Sequence, residues 1–251
     1  MSKLGWNTDE AERASDEAAR DVQKVANDSA LARAHAGSGG GLTGAATRLI
    51  ERLLDFGIDG KGPFHSAHEM AAKALQENHD DPERAIKAIR REHRLLGAAG
   101  GFATGLGGFF LLPVSLPVNV VEFYLLGTRM TAAIAKVRGY DIDQPEIRSA
   151  VLLTLVGADS EDILKKAGLF ASGGQLAAVA FDQLPAPALM VLNKAIGFRL
   201  LSRIGQGSVA KLGRGVPVVG GVVGGGIDVY MLGRIAKQAM EEFPPLTSFG
   251  R

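Results

Sequence analysis

The chain has no cysteine among its 251 residues. Disulfides, thiolate metal sites and cysteine nucleophiles are thereby excluded, and the composition fits a reducing compartment. Acids are missing over a long stretch: from Asp182 to Asp228 there is no other Asp or Glu, while Lys194, Arg199, Arg203, Lys211 and Arg214 all lie there. Such a basic run favours an anionic surface, above all lipid headgroups, or else forms a solvated helix face. It carries a single aromatic, Phe198, and no reading motif, so nucleic acid is not an expected partner. Charge of either sign is missing from Leu95 to Val121, a run of 27 residues. The opening MSKLGWNTDEAER has no apolar core of the secretory kind, which argues against export by that route.

Catalytic signatures are missing too. GGFATGLGG (100–108) and GGVVGGG (220–226) lack the terminal Lys–Ser/Thr of a phosphate loop, and no GxSxG is present. No cofactor is expected from these motifs.

What is there is a segment that occurs twice. Residues 121–127 read VEFYLLG and residues 227–233 read IDVYMLG. Each puts an acid (Glu122, Asp228) two residues before a tyrosine (Tyr124, Tyr230), and an arginine follows (Arg129, Arg234). Upstream of each, glycines recur four apart: Gly97, Gly101 and Gly105, then Gly220 with Gly224 and Gly221 with Gly225. That spacing strips one helix face to backbone and suits close helix contact. Neither acid has a base three or four residues away, so a paired buried acid site is one reading, with Arg129 or Arg234 reaching across. The other is capping: Asn119-x-x-Glu122 has the form of a capping box, and Asp228 follows three glycines as an N-cap. The sequence favours capping, with the closing helix starting near Asp228.

The net charge of +1 is unevenly spread. Residues 1–93 hold 13 bases and 16 acids, net −3; residues 94–251 hold 15 bases and 11 acids, net +4. Alanine-rich residues 9–36 read as an exposed helix and GSGGG (37–41) as a flexible joint. Leu42, Ala45, Ala46, Leu49, Ile50, Leu53 and Leu54 then fall at helical spacing up to about Gly57. Further helices are expected from about Ser66 to Gln76, after Asp81–Pro82, after Pro145 as far as Gly157, over 159–167, and across 169–214 with breaks at Gly173–Gly174 and Pro185/Pro187. No stretch alternates as a strand would. The expectation is an all-α fold: an extension over 1–60, then a single helical domain over 61–251 with two pseudo-repeated glycine-rich hairpins. The 18 proline-free uncharged residues from Leu95 to Leu112 include six glycines. They are borderline against the ~20 apolar residues that span a bilayer, and their glycines demand tight packing or lipid.

His65, His68 and Glu69 share a helical face, a set that can hold a metal if His93 or Glu92 adds a third ligand type. That defines the enzymatic alternative, a metal-assisted hydrolase.

The runs IRREHRLLGAAGGFATGLGGFFLLPVSLP (89–117), RMTAAIAKVRGYD (129–141), VLLTLVG (151–157) and VPVVGGVVGGGID…GRIAKQAMEEF (216–243) resemble the EcsC protein family in order and spacing. The resemblance covers about 80–243 and leaves 1–60 outside. It implies a bacterial, mostly helical, membrane-associated protein whose founding member is encoded beside an ABC exporter, with no defined catalytic residues. The expected function is therefore non-enzymatic: binding of anionic lipid or acyl chains at the cytoplasmic face of the plasma membrane. Arg90, Arg91 and Arg94 would meet lipid with the 194–214 bases, and an ABC transporter or other membrane protein is the possible protein partner.

Overall fold

A computed structural model describes residues 41–61, 65–106, 112–166, 186–210 and 217–246. Among the described residues there are eight α-helices and no strand, so the chain is all-α. They are α1 (Gly41–Arg52), α2 (Ala67–Glu77), α3 (Pro82–Leu106), α4 (Leu112–Val137), α5 (Pro145–Val156), α6 (Ser160–Lys166), α7 (Ala186–Ala210) and α8 (Pro217–Glu242). A π-helical turn, Leu53–Ile58, prolongs α1, and a 3-10 turn, Gly157–Asp159, joins α5 to α6. Residues 1–40, the breaks expected at 173–174 and 185, and Lys211 and Arg214 lie outside the described residues.

Local chemistry sets most helix starts. Ser66 and Glu69 close a capping box at α2: the Glu69 N–H donates to Ser66 Oγ at 3.1 Å, and the Ser66 N–H donates to Glu69 Oε2 at 2.9 Å. At α3, Asp81 Oδ1 accepts from the N–H groups of Glu83 and Arg84 at 3.0 and 3.1 Å, with Pro82 in the first position. Pro145 opens α5, and Gly157 ends it at a positive φ of 55°.

Two expected starts are corrected. The last helix begins at Pro217, eleven residues before Asp228, and α4 begins at Leu112, ten residues before Glu122. Both acids are therefore interior helical residues, and neither caps anything. Glycine does not interrupt these helices. A Cβ on Gly97 would lie 2.4 Å from Leu232 Cδ1, so α3 and α8 pack closely there and the leucine side chain would have to shift to admit one.

Helix α4 is the centre of the fold and packs on α2, α3, α5, α7, α8 and the π turn. Its stretch Met130–Ala135 is wholly buried, and α5 is buried from Ile147 to Val156 except at the half-buried Arg148. The longest contact is between α3 and α8. Gly97 faces Leu232 while Arg90, earlier in α3, reaches Met240, later in α8, so the pair is antiparallel and its glycine-rich halves share one end. The two glycine-rich helices thus pair with each other, and α3 also packs on α4, the helix that follows it. No helix among the described residues is long and apolar enough to cross a membrane.

Helix α1 belongs to the same core: Leu49, Ile50, Leu53 and Ile58 are buried with it. A Cβ on Gly197 of α7 would stand 2.7 Å from the Ala46 carbonyl oxygen of α1, another contact that needs glycine.

Candidate functional site

Charged groups line the seam between α3, α4 and α8. His93 of α3 is wholly buried, and its Nδ1–H donates to the Ile89 carbonyl at 2.8 Å. That bond fixes the tautomer and leaves Nε2 as a lone pair with no hydrogen-bond partner among the described residues. Burial lowers the His93 pKa to about 4, the Arg129 charge pushes the same way, and the bond to Ile89 opposes both. The ring is neutral near pH 7. Arg129 of α4 is buried, and burial lowers its pKa to about 10 against the raising effect of Glu92.

Toward the glycine-rich end lies Glu122, on the same face of α4 as Arg129, two turns away. It is half-buried, and burial followed by the charge of Asp228 raises its pKa to about 7. Asp228 stands on α8, its Cβ 3.9 Å from where a Gly97 Cβ would be. The charge of the acid in one repeat segment therefore acts on the acid in the other, which the capping reading missed. The Arg129 charge is acted on by Glu92, and Arg234 is exposed.

A second cluster joins α4, α5 and α7. Arg203 hydrogen-bonds Tyr124, donates to the Val156 carbonyl at 2.9 Å and pairs with Asp159. Arg199 Nε donates to Asp159 Oδ2 at 2.7 Å. The bonds from Arg199 first, then Arg203, lower the Asp159 pKa to about 2. Tyr124 is buried and its pKa is raised by burial. Two of the five bases expected to face lipid thus hold α7 to the end of α5, while Lys194 stays exposed. In the other basic group Arg91 and Arg94 are exposed, and Arg90 is half-buried with Nη1 3.9 Å from Met240 Sδ.

His65, His68 and Glu69 do not come together as a metal centre. Glu69 closes the capping box, with His65 Nδ1 3.5 Å from its Oε2, whereas His68 Nε2 turns to Asp143 Oδ1 at 3.1 Å. Among the described residues no three His, Asp or Glu side chains are placed to hold a metal. Their surroundings form a groove of about 300 Å³ between α2 and α3, where Glu69, Lys73, Glu77 and Glu92 flank Met70 and Ile89.

Both helices of the α3–α8 pair carry exposed apolar side chains. Leu95 is 62% exposed, Ile227 51% and Tyr230 65%, with Leu96 and Met231 beside them. All five lie within about two turns of the Gly97–Leu232 contact, and Arg91, Arg94 and Arg234 are exposed along the same two helices.

The buried role of His93 was missed in the sequence because it sits in the charged run RREHR. The available signal was its spacing from Ile86, Ile89 and Gly97, which puts all four on one helix face. The Asp159 cluster left no such signal, since its partners are some 40 residues apart.

These features define an all-α protein with a polar seam under an exposed apolar edge. Residues 61–244 match the EcsC protein family, and the chain belongs to it. The match starts about 20 residues earlier than the motifs at 80–243 indicated, and so takes in α2. No curated protein and no solved structure matches the chain.

Proposed function

We propose that the protein binds the surface of anionic membranes through the outer edge of α3 and α8. The observation that carries this is the exposure of Leu95 on α3 and of Ile227 and Tyr230 on α8, on the same two helices as the exposed bases Arg91, Arg94 and Arg234. Large apolar side chains left in water on neighbouring helices mark an interaction surface. Each such side chain contributes about 1.5–3 kcal/mol when buried, and each base near an anionic bilayer about 1 kcal/mol. Three of each suffice for reversible surface binding without any spanning helix. Phosphate headgroups suit the arginines, and acyl chains suit the leucine, isoleucine and tyrosine.

Co-sedimentation with vesicles rich in phosphatidylglycerol tests the reading. Binding should be strong at low salt and released as salt rises. Leu95→Ser with Tyr230→Ser should weaken it at all salt concentrations, and Arg91→Gln with Arg94→Gln should weaken it chiefly at low salt. No binding of the unaltered protein at low salt sinks the proposal.

A further inference from the structure

Two exposed surfaces of the chain match each other. The first is the outer face of α7. There Met190 is 73% exposed, Val191 57% and Phe198 36%, with the exposed Lys194 among them. Met190, Lys194 and Phe198 stand four residues apart and so form one stripe, about 12 Å long at about 1.5 Å per residue. Leu189, Leu192, Ile196 and Leu200 of the same helix are buried in the core. Helix α7 has no Asp or Glu, so this apolar face is also basic.

The second surface is the groove of about 300 Å³ between α2 and α3. Met70, Ala74 and Ile89 are buried at its base, and Glu69, Glu77 and Glu92 are exposed along it. Three carboxylates stand there against one lysine, Lys73, and one histidine, His65. Glu69, Lys73 and Glu77 are again four residues apart, so the α2 wall runs about the same 12 Å. Within one chain the two surfaces belong to different neighbourhoods: α2 packs on α3, α4 and the π turn, and α7 on α1, α4, α5 and α6.

We infer that the α7 face of one copy docks in the α2–α3 groove of a second copy, joining the chains head to tail. Lys194 then meets the groove carboxylates, while Met190, Val191 and Phe198 leave water against Met70 and Ile89. Face and groove are different patches, so the contact is heterologous: each pair keeps one free face and one free groove, and a third copy can add. Both surfaces are small beside the ~1,200–2,000 Å² of a stable interface, so the association is reversible and concentration-dependent. It uses none of the side chains assigned above to lipid and stands or falls apart from that reading.

Analytical ultracentrifugation of the full chain without lipid is the test. The average mass should rise between about 10 µM and about 1 mM, and less steeply as salt is added. Lys194→Glu should weaken the association at least about tenfold, and Glu77→Lys with Glu92→Lys should do the same. An equal mixture of those two variants should associate again, because each then meets a surface of opposite charge on the other. Met190→Ser with Val191→Ser should weaken association at every salt concentration. All these side chains are exposed, so the variants should melt with the unaltered protein. A monomer at every concentration overturns the inference, as does association that survives either charge reversal or is not restored by mixing. If Lys194→Glu loses binding to phosphatidylglycerol vesicles while its self-association is unchanged, the α7 face belongs to lipid and the inference falls.

Discussion

The two copies of the repeated segment share their letters and differ in nearly everything the fold does with them. On α4, Tyr124 is 6% exposed and bonded to Arg203, whereas on α8 Tyr230 is 65% exposed. Arg129 is buried; Arg234 is in solvent. A Cβ on Gly127 would meet Leu155 at 3.1 Å and Ile235 at 3.3 Å, while one on Gly233 would meet nothing within 4 Å. The leucines are reversed: Leu232 is wholly buried against Gly97, and Leu126 is only half-buried. The difference follows from position. Helix α4 is surrounded on all sides, and α8 has one face on α3 and another in water. What the copies keep in common is a half-buried acid, Glu122 on α4 and Asp228 on α8.

The largest contrast should come from the tyrosines. Tyr124→Ala removes a buried ring and should cost about 3–5 kcal/mol in denaturant unfolding. Tyr230→Ala should stay within about 0.5 kcal/mol. Equal losses would mean the copies are equivalent after all.

Next come the opposed titrations of the seam. Glu122 has a folded pKa of about 7, above its ordinary 4.5, so the folded state holds a proton the unfolded state has released. Its stability contribution is complete below the ordinary value and is lost as pH rises toward 7. His93 has a folded pKa of about 4, below its ordinary 6.5, and its contribution is lost as pH falls from 6.5 toward 4. Each shift corresponds to about 3 kcal/mol. Between the two ordinary values the slopes cancel, so each is hidden by the other. Thermal melts of Glu122→Gln should therefore show stability rising with pH across that window, and melts of His93→Gln should show it falling. Parallel curves for both variants would contradict the seam as described.

The smallest contrast is between the glycines. Gly233→Ala fills open space and should stabilise by about 0.8–1 kcal/mol through helix propensity. Gly127→Ala presses on Leu155 and Ile235, and that crowding should cancel most of the same gain. Melting temperatures of the two variants give the comparison directly.

Helix starts were legible in the sequence where a short-range chemical signal made them, as at Ser66–Glu69, Asp81–Pro82 and Pro145. The same kind of signal misled at Asn119 and Asp228. Both match a capping pattern, yet the helices had begun earlier, near Leu112–Pro113 and at Pro217. Composition could not show that the charge of Asp228 acts on Glu122, because it takes the α4–α8 packing to bring the two helices together. The exposure of Tyr230 against the burial of Tyr124 was equally out of reach, since a motif states what a residue is and not how many neighbours surround it.

The contact between Gly197 and the Ala46 carbonyl has a practical consequence. The matched region begins at residue 61, yet α1 lies before it and rests backbone to backbone on α7. A chain trimmed to 61–244 would lose Leu49, Leu53 and Ile58 and bare the greasy surfaces of α4 and α7 that they cover. Such a fragment should express as inclusion bodies or clump on concentration, whereas one starting at residue 41 should stay in solution. The unit expected to fold is thus wider than the stretch by which the family is recognised.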